Sequence, residues 1–259
     1  MTDPPLPSTT DGLVLIRAPV PGEAQVLVAG RDEAFYRWLG PGADEPRPAG
    51  CIHAGGQIVG WVDYDLDRDW LEPGEVNVGY HVFAPHRGQG YATRAVRLLL
   101  HHLSVRTDYT VASLLIDAAN QRSLALAARI GAVAAARPGG SYFRRPVPPL
   151  SYSDGVMTIR PAQPGEVGSS RSEPFGSGPR WVFCAELAAD GCVGHAGCDL
   201  ASDRMPRGEA SIWCTCLPEH RGKGHESRAA RLVTHFLRDH TGARQAPLVT
   251  DARSRRSAC

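Results

Sequence analysis

The feature of this sequence that most limits its fold is a repeat. Asp11-Gly12-Leu13-Val14-Leu15-Ile16-Arg17 returns as Asp154-Gly155-Val156-Met157-Thr158-Ile159-Arg160, and Pro21-Gly22-Glu23 returns as Pro164-Gly165-Glu166, both displaced by 143 positions. His86-Arg87-Gly88-Gln89-Gly90 returns as His220-Arg221-Gly222-Lys223-Gly224, and Val59-Gly60 as Val193-Gly194, now displaced by 134. Ordered matches with one change of spacing are the mark of a duplicated unit. The step from 143 to 134 places a nine-residue loss before Val193, where a loop or short helix is easily trimmed. The expected division is a complete unit over 11–145, a proline-rich linker over 146–153 and a shortened second unit over 154–259. Cys259 aligns with Ala125, so the second copy is expected to lack half a helix and two strands of its pattern. The resulting strand edge is expected to need cover, for instance by packing on the first unit.

Composition narrows the class further. Hydrophobic residues make up 42% and charged residues 21%, which suits folded domains rather than disorder. A net charge of +1 supplies no field to gather nucleic acid or an anionic membrane, and no apolar run nears the ~20 residues that cross a bilayer. The Pro- and Thr-rich start, Met1 to Thr10, has no apolar core and is expected to be a frayed tail rather than a targeting segment. The 7 cysteines follow no framework, which fits reduced thiols and a cytoplasmic location. Periodicity predicts strands at 13–17, 52–54, 57–64, 75–82 and 111–117, helices at 31–39, 90–103 and 120–130, and two last strands within 132–145 about the turn Pro138-Gly139-Gly140. The predicted fold class is mixed α/β: a mostly antiparallel sheet with flanking helices.

The chemistry concentrates between Val78 and Leu103. A strand ends at Phe83-Ala84-Pro85, the loop His86-Arg87-Gly88-Gln89-Gly90-Tyr91-Ala92 follows, and a helix begins at once. Glycines 88 and 90 permit close backbone approach, and the free amides of a first helical turn bind phosphate. The P-loop pattern and the Rossmann fingerprint do not occur in this loop. Arg87-x-x-Gly90-x-Ala92 closely resembles the acyl-CoA pyrophosphate loop of the GNAT superfamily of N-acetyltransferases. Asn120-Gln121-Arg122-Ser123 followed by Ile130-Gly131-Ala132 is similar to that family's Asn-x-x-Ser and Leu-Gly-Phe segment, with Ala132 in place of the aromatic. The resemblance spans residues 13–145 and is nearest to the branch that includes ribosomal-protein-alanine N-acetyltransferases.

That resemblance implies a V-shaped splay between two parallel central strands, with acetyl-CoA as acyl donor and an amine of unspecified identity as acceptor. It assigns backbone groups of Val82, Phe83 and Ala84 to the pantetheine arm and the thioester carbonyl. The loop Arg87, Gly88, Gln89, Gly90, Tyr91 and Ala92 falls to the pyrophosphate, and Asn120 to the region of the thiol. An amine attacks only when neutral, so a base is useful. Glu75 is the first candidate and Asp117 the second, with a solvated strand residue as the other reading of Glu75. The tyrosine that many members carry seven residues after the Asn is Ala127 here, and Ser123 is the candidate proton donor. Asn120 equally reads as a helix N-cap and Ser123 as a first-turn residue. Tyr142 is a further hydroxyl with no motif behind it. Acidic residues Asp63, Asp65, Asp67, Asp69 and Glu72 read as a solvated loop or an attractor for a cationic acceptor.

The second copy departs from the pattern. Glu226 replaces Ala92, and Ser254 replaces Asn120, so weak or absent CoA binding is expected there. Cys192, His195, Cys198, Cys214 and Cys216 lack metal-ligand spacing and fall on apolar strand positions of the first copy, so they read as packing, with no metal expected. A non-catalytic CoA-binding module and an aminoglycoside-modifying transferase are the alternatives, and the sequence leaves room for a homodimer.

Overall fold

The computed structural model describes residues 6–136, 140–163, 165–166, 180–200, 208–241 and 243–248. The expected turn at Pro138-Gly139 and the Ser254 position lie outside these residues. The chain divides into two compact units, with the boundary in the sequence between Pro148 and Pro149.

The first unit contains β1 (Thr9–Thr10), β2 (Leu15–Arg17), α1 (Glu23–Ala29), α2 (Glu33–Leu39), β3 (Gly50–Ala54), β4 (Gln57–Asp65), β5 (Glu75–Val82), α3 (Tyr91–Arg106), β6 (Val111–Leu115), α4 (Gln121–Arg129), β7 (Val133–Ala135) and β8 (Tyr142–Pro146). They form one eight-stranded sheet in the order β1-β2-β3-β4-β5-β6-β8-β7. Every pairing is antiparallel except β5 with β6. The mixed, mostly antiparallel fold expected from the sequence is the one found. Even-numbered positions of β5 (Val76, Val78, Val82) join the core that includes Ala95, Val96, Leu99 and Leu103 of α3. The strand's period of two and the helix's period of 3.6 therefore meet on one apolar face.

Two findings depart from the sequence reading. A helix precedes the predicted one: Glu23 anchors the first turn of α1 and pairs with Arg17 at 2.5 Å. Seven residues behind Pro21-Gly22 give too short a pattern to stand out. The stretch read as a linker is also partly built into structure. Pro146 ends β8, the Val147 amide donates to Thr110 O (2.9 Å), and Ser104 Oγ donates to Pro148 O (2.7 Å). Carbonyls before and at prolines remain good acceptors even where the amides are missing.

The second unit contains β9 (Tyr152–Ser153), β10 (Met157–Pro161), β11 (Arg180–Leu187), β12 (Gly191–Asp199), β13 (Ser211–Cys216) and α5 (His225–His240). Its five-stranded antiparallel sheet runs β13-β12-β11-β10-β9. Phe236 of α5 fills its centre, with ring centroids 4.8 Å from Phe183 and 4.4 Å from His240. Cys184, Cys198 and Cys216 are buried beside strand neighbours, and burial pushes the thiols of Cys214 and Cys216 up to about 12 and 11. Among the described residues no group of His, Cys, Asp and Glu is arranged to hold a metal, and no helix is long and apolar enough to cross a membrane.

The repeated residues make the same local structure in each unit. A side chain on Gly60 would collide with the His81 carbonyl, and one on Gly194 with the Thr215 carbonyl, 134 positions on in both partners. Asp11 accepts the Val14 amide and pairs with Arg94 at 2.5 Å, while Asp154 accepts the Met157 amide and pairs with Arg228 at 2.6 Å. Parallel bridges Glu209 to Gln245 and Ile212 to Leu248 lie beside β13, and the first stands 134 positions beyond the pair Glu75 and Val111.

Candidate active site

The geometry begins with how β5 and β6 part. They pair only at Glu75–Val111, Val76–Ala112 and Asn77–Ser113. Beyond Asn77, β5 stays zipped to β4 through Val82, whereas Leu114 and Leu115 of β6 pair with β8. The β6 side of β5 from Val78 to Val82 thus has no strand against it. Phe83 donates its amide to Val59 O at 2.9 Å. Alternation along an antiparallel ladder then turns the Val82 amide and carbonyl toward the open side. Of the backbone groups that the resemblance assigns to the pantetheine arm and the thioester carbonyl, the Val82 N–H faces the open side and the Phe83 N–H is spent on β4.

Past this edge a single 3₁₀ turn (Ala84–His86) leads into the glycine loop. Gly88 and Gly90 have φ of +80° and +82°, values at which L side chains are strained. Gly90 is the N-cap of α3 and no side chain caps the helix, so the amides of its first turn lack intrahelical acceptors. No acidic residue sits in that turn, and a Cβ on Gly88 would meet open space. The result is an exposed concave run of main-chain donors at the positive end of a 16-residue helix, which fits a diphosphate.

Arg87 has a different set of partners from the phosphate expected of it. Its Nε donates to Val82 O (2.8 Å), and its two terminal nitrogens grip both oxygens of Asp32 (2.7 and 2.8 Å). Asp32 is also the N-cap of α2, accepting from the Phe35 amide. The Arg87 fork holds the Asp32 carboxyl down to about 2. Arg87 therefore fastens the end of β5 to α2, and the loop's own amides are left as the anion donors. His81, on the opposite face of β5 from Val82, packs edge-on against Phe35 and contacts Gly30 O at 3.3 Å. Burial lowers its pKa.

Glu75 is not the solvated strand residue that was one reading of it. It is 3% exposed, accepts from Ser113 Oγ (3.1 Å) and the Glu72 amide (3.3 Å), and pairs with Arg144 at 2.5 Å. The parallel pairing of β5 with β6 and the antiparallel pairing of β6 with β8 bring Arg144 over it. It lies at the closed end of the splay, about 23 Å of strand before Val82. A hollow of about 520 Å³ lined by Glu72, Val111, Arg144 and Pro146 belongs to that same end, away from the loop. Asp117 is exposed in the turn after β6 and accepts the Ala119 amide at 2.7 Å. Asn120 caps α4, its side-chain oxygen accepting the Ser123 amide at 3.2 Å. Tyr142 is buried against Trp70, ring centroids 5.1 Å apart. Of the acidic loop residues, Asp63 is turned inward to the Ala49 amide (2.8 Å), and burial raises its pKa.

One residue escaped the sequence reading. Tyr80 lies on the open stretch of β5, and its hydroxyl is closed off from solvent. It faces Ser123 and Arg129 of α4 without a hydrogen bond of full geometry to either. Burial raises its pKa, against smaller opposing effects of Ser123 and Arg129. No signal in its own stretch of sequence marks it, because Ser123 and Arg129 lie more than 40 positions away.

The second unit builds the same turn. Leu217 donates to Val193 O (2.9 Å), Arg221 Nε to Cys216 O (3.2 Å), and Gly222 and Gly224 have φ of +72° and +79°. Its helix begins with Glu226 in the first turn, and that carboxylate acts on Cys214 and Cys216 at the end of β13.

Residues 15–133 match the family model described as Acetyltransferase (GNAT) domain. This stretch holds β5, the glycine loop, α3 and α4, and it lies within the first unit. Among solved structures, an N-acetyltransferase from Staphylococcus aureus Mu50 is 16% identical, covering 52% of this chain and 99% of its own, with a TM-score of 0.43. RimL, a ribosomal-protein alpha-N acetyltransferase in complex with coenzyme A, is 16% identical over 54% of this chain and 97% of its own, TM-score 0.45. The aminoglycoside acetyltransferase AAC(6')-Ib, also with coenzyme A, is 16% identical over 51% and 94%, TM-score 0.44. No curated protein matches the chain.

Proposed function

We propose that the first unit is an acetyl-CoA-dependent N-acetyltransferase that acts on a primary amine of a protein, peptide or small molecule. The observation that carries this reading is the unpaired edge of β5 from Val78 to Val82, running directly into a glycine-turned loop at the uncapped start of α3. The loop amides from Gly88 to Ala92 would hold the diphosphate. The Val82 amide would face the acyl carbonyl, where a preorganised donor is worth about 3 kcal/mol. When bound, the thioester supplies an activated acetyl group, and the chain supplies orientation, exclusion of water and proton handling.

The second unit, on this proposal, descends from the same ancestor and has lost its CoA site, because Glu226 puts a carboxylate where the phosphate would meet the helix amides. The nearness to ribosomal-protein-alanine N-acetyltransferases and the cytoplasmic location belong to the same proposal, resting on the Asn120-x-x-Ser123 pattern and the free thiols. A CoA-binding module without catalysis draws support from Glu75, whose carboxylate is held by Arg144. Titration of the full chain with acetyl-CoA by calorimetry, followed by thiol release across an amine panel, separates these readings. Binding with release supports the transferase, binding without release the module, and no heat from a folded chain refutes both.

A further inference from the structure

We propose that Cys184 and Cys192 form a reversible dithiol pair, closed to a disulfide by exchange with a small-molecule disulfide, so that the second unit responds to oxidised thiols. Both units build the same β-bulge. On β3 and β4 the register steps from Ile52–Gly60 to His53–Ile58, and on β11 and β12 from Ala185–Gly194 to Glu186–Cys192. Cys51 and Ile58 therefore occupy the same diagonal positions in the first unit as Cys184 and Cys192 in the second. In the first unit those two side chains share an apolar cluster with Leu27 and Phe83. In the second a thiol stands in place of the isoleucine. A regular ladder keeps diagonal neighbours about 7–8 Å apart. Here the extra residue, Val193, bends and twists the strand, and the two thiols lie within hydrogen-bonding reach of each other.

The pair has an accessible and a protected member. Cys192 is half-buried with its Sγ 3.3 Å from Gly194 O, whereas Cys184 is fully buried. Arg160 stands opposite Cys184 on β10, and Glu186 Oε1 lies 3.9 Å from the Cys184 Sγ. Burial pushes the Cys184 thiol up, so Cys192 attacks first. The Cys192 sulfur bonds to one sulfur of the small molecule, whose S–S bond breaks, and the departing thiolate takes the Cys192 proton. The Cys184 sulfur then attacks Cys192 in the mixed disulfide, and the second small thiol leaves with the Cys184 proton, passed through Glu186. Two cysteines are oxidised and one small disulfide is reduced to two thiols. A surplus of reduced thiol runs both steps backwards. Cys214 and Cys216 do not compete. They sit two apart on one strand, where same-side positions stand about 6.6 Å apart, against the ~3.8 Å between Cβ atoms in a disulfide.

The test is exchange of the folded full chain with oxidised glutathione, followed by an acid quench, alkylation of the remaining thiols and peptide mapping. The expected result is joint loss of Cys184 and Cys192 from the alkylated set, with a Cys184–Cys192 cross-link that dithiothreitol reverses. Cys192→Ile installs the residue of the first unit and should abolish the cross-link. Cys184→Ala should stop the reaction at a stable mixed disulfide on Cys192. The pair is overturned if both thiols stay alkylatable while other cysteines react, if either links preferentially to a different cysteine, or if the mixed disulfide on Cys192 persists with Cys184 in place.

Discussion

The loops before α3 and α5 have nearly the same backbone and opposite chemical character. In both, two glycines adopt left-handed φ, an arginine Nε ties back to the last strand carbonyl, and an uncapped 16-residue helix starts at the second glycine. In the first unit the opening turn carries no acid. In the second it carries Glu226. The comparison separates two things that a motif merges: the same glycines and strand-end hydrogen bond accompany the turn in both units, while the charge in the opening helical turn differs between them. The units differ also in how deeply they bury a shared ion pair. Asp11 and Arg94 are 0% and 5% exposed at the side chain, Asp154 and Arg228 22% and 39%.

That burial difference gives the largest expected effect. Arg94→Met leaves Asp11 charged, buried and unpaired, and should cost about 3–5 kcal/mol. Arg228→Met should cost about 1 kcal/mol or less. Urea titrations with a probe in each unit check this, and equal costs would break the comparison. Next, Gly90→Val forces a branched side chain into a left-handed conformation, a strain of about 1–2 kcal/mol, and should weaken acetyl-CoA binding about tenfold or more. Gly224→Val imposes the same strain and should leave binding unchanged, so that a loss in both would mean general damage to the fold. Glu226→Ala removes the competing carboxylate and should strengthen inorganic phosphate binding at the second loop by about 0.3–1 kcal/mol, read by phosphate-induced chemical-shift changes in that loop's amides. The smallest contrast is with pH. Asp32 and Asp154 are both held down to about 2, Asp32 chiefly by Arg87 and Asp154 chiefly by the Met157 amide. A carboxyl depressed in the folded state contributes above its ordinary range and loses that contribution as pH falls through the folded value. Both contributions should therefore be complete above about pH 4 and fade toward pH 2. Carboxyl carbon shifts followed by NMR would show it, and a midpoint near 4 at either site would contradict the pairing.

Much of this was legible in the residues because it is local. The alternation of β5, the apolar face of α3 and the paired glycines each lie within one short window. Asn120 as an N-cap needed only its own helix. What escaped depends on long-range register. Arg87 meets Asp32 across 55 positions, and the α1–α2 segment that supplies Asp32 is too short to show a clear period. Glu75 looked exposed until the β6–β8 pairing put Arg144 over it. Tyr80 lies on an open edge only because β5 and β6 part after Asn77. The Asp11–Arg94 pair had left a trace, since both residues recur as Asp154 and Arg228, but at different displacements of 143 and 134.

The stoichiometry of acetyl-CoA on the intact chain, measured by calorimetry, bears most directly on the claim that two like turns differ in one decisive charge. One site per chain, lost in Gly90→Val and retained in Gly224→Val, is the predicted result. Two equivalent sites, or a single site that survives Gly90→Val and disappears in Gly224→Val, would contradict it.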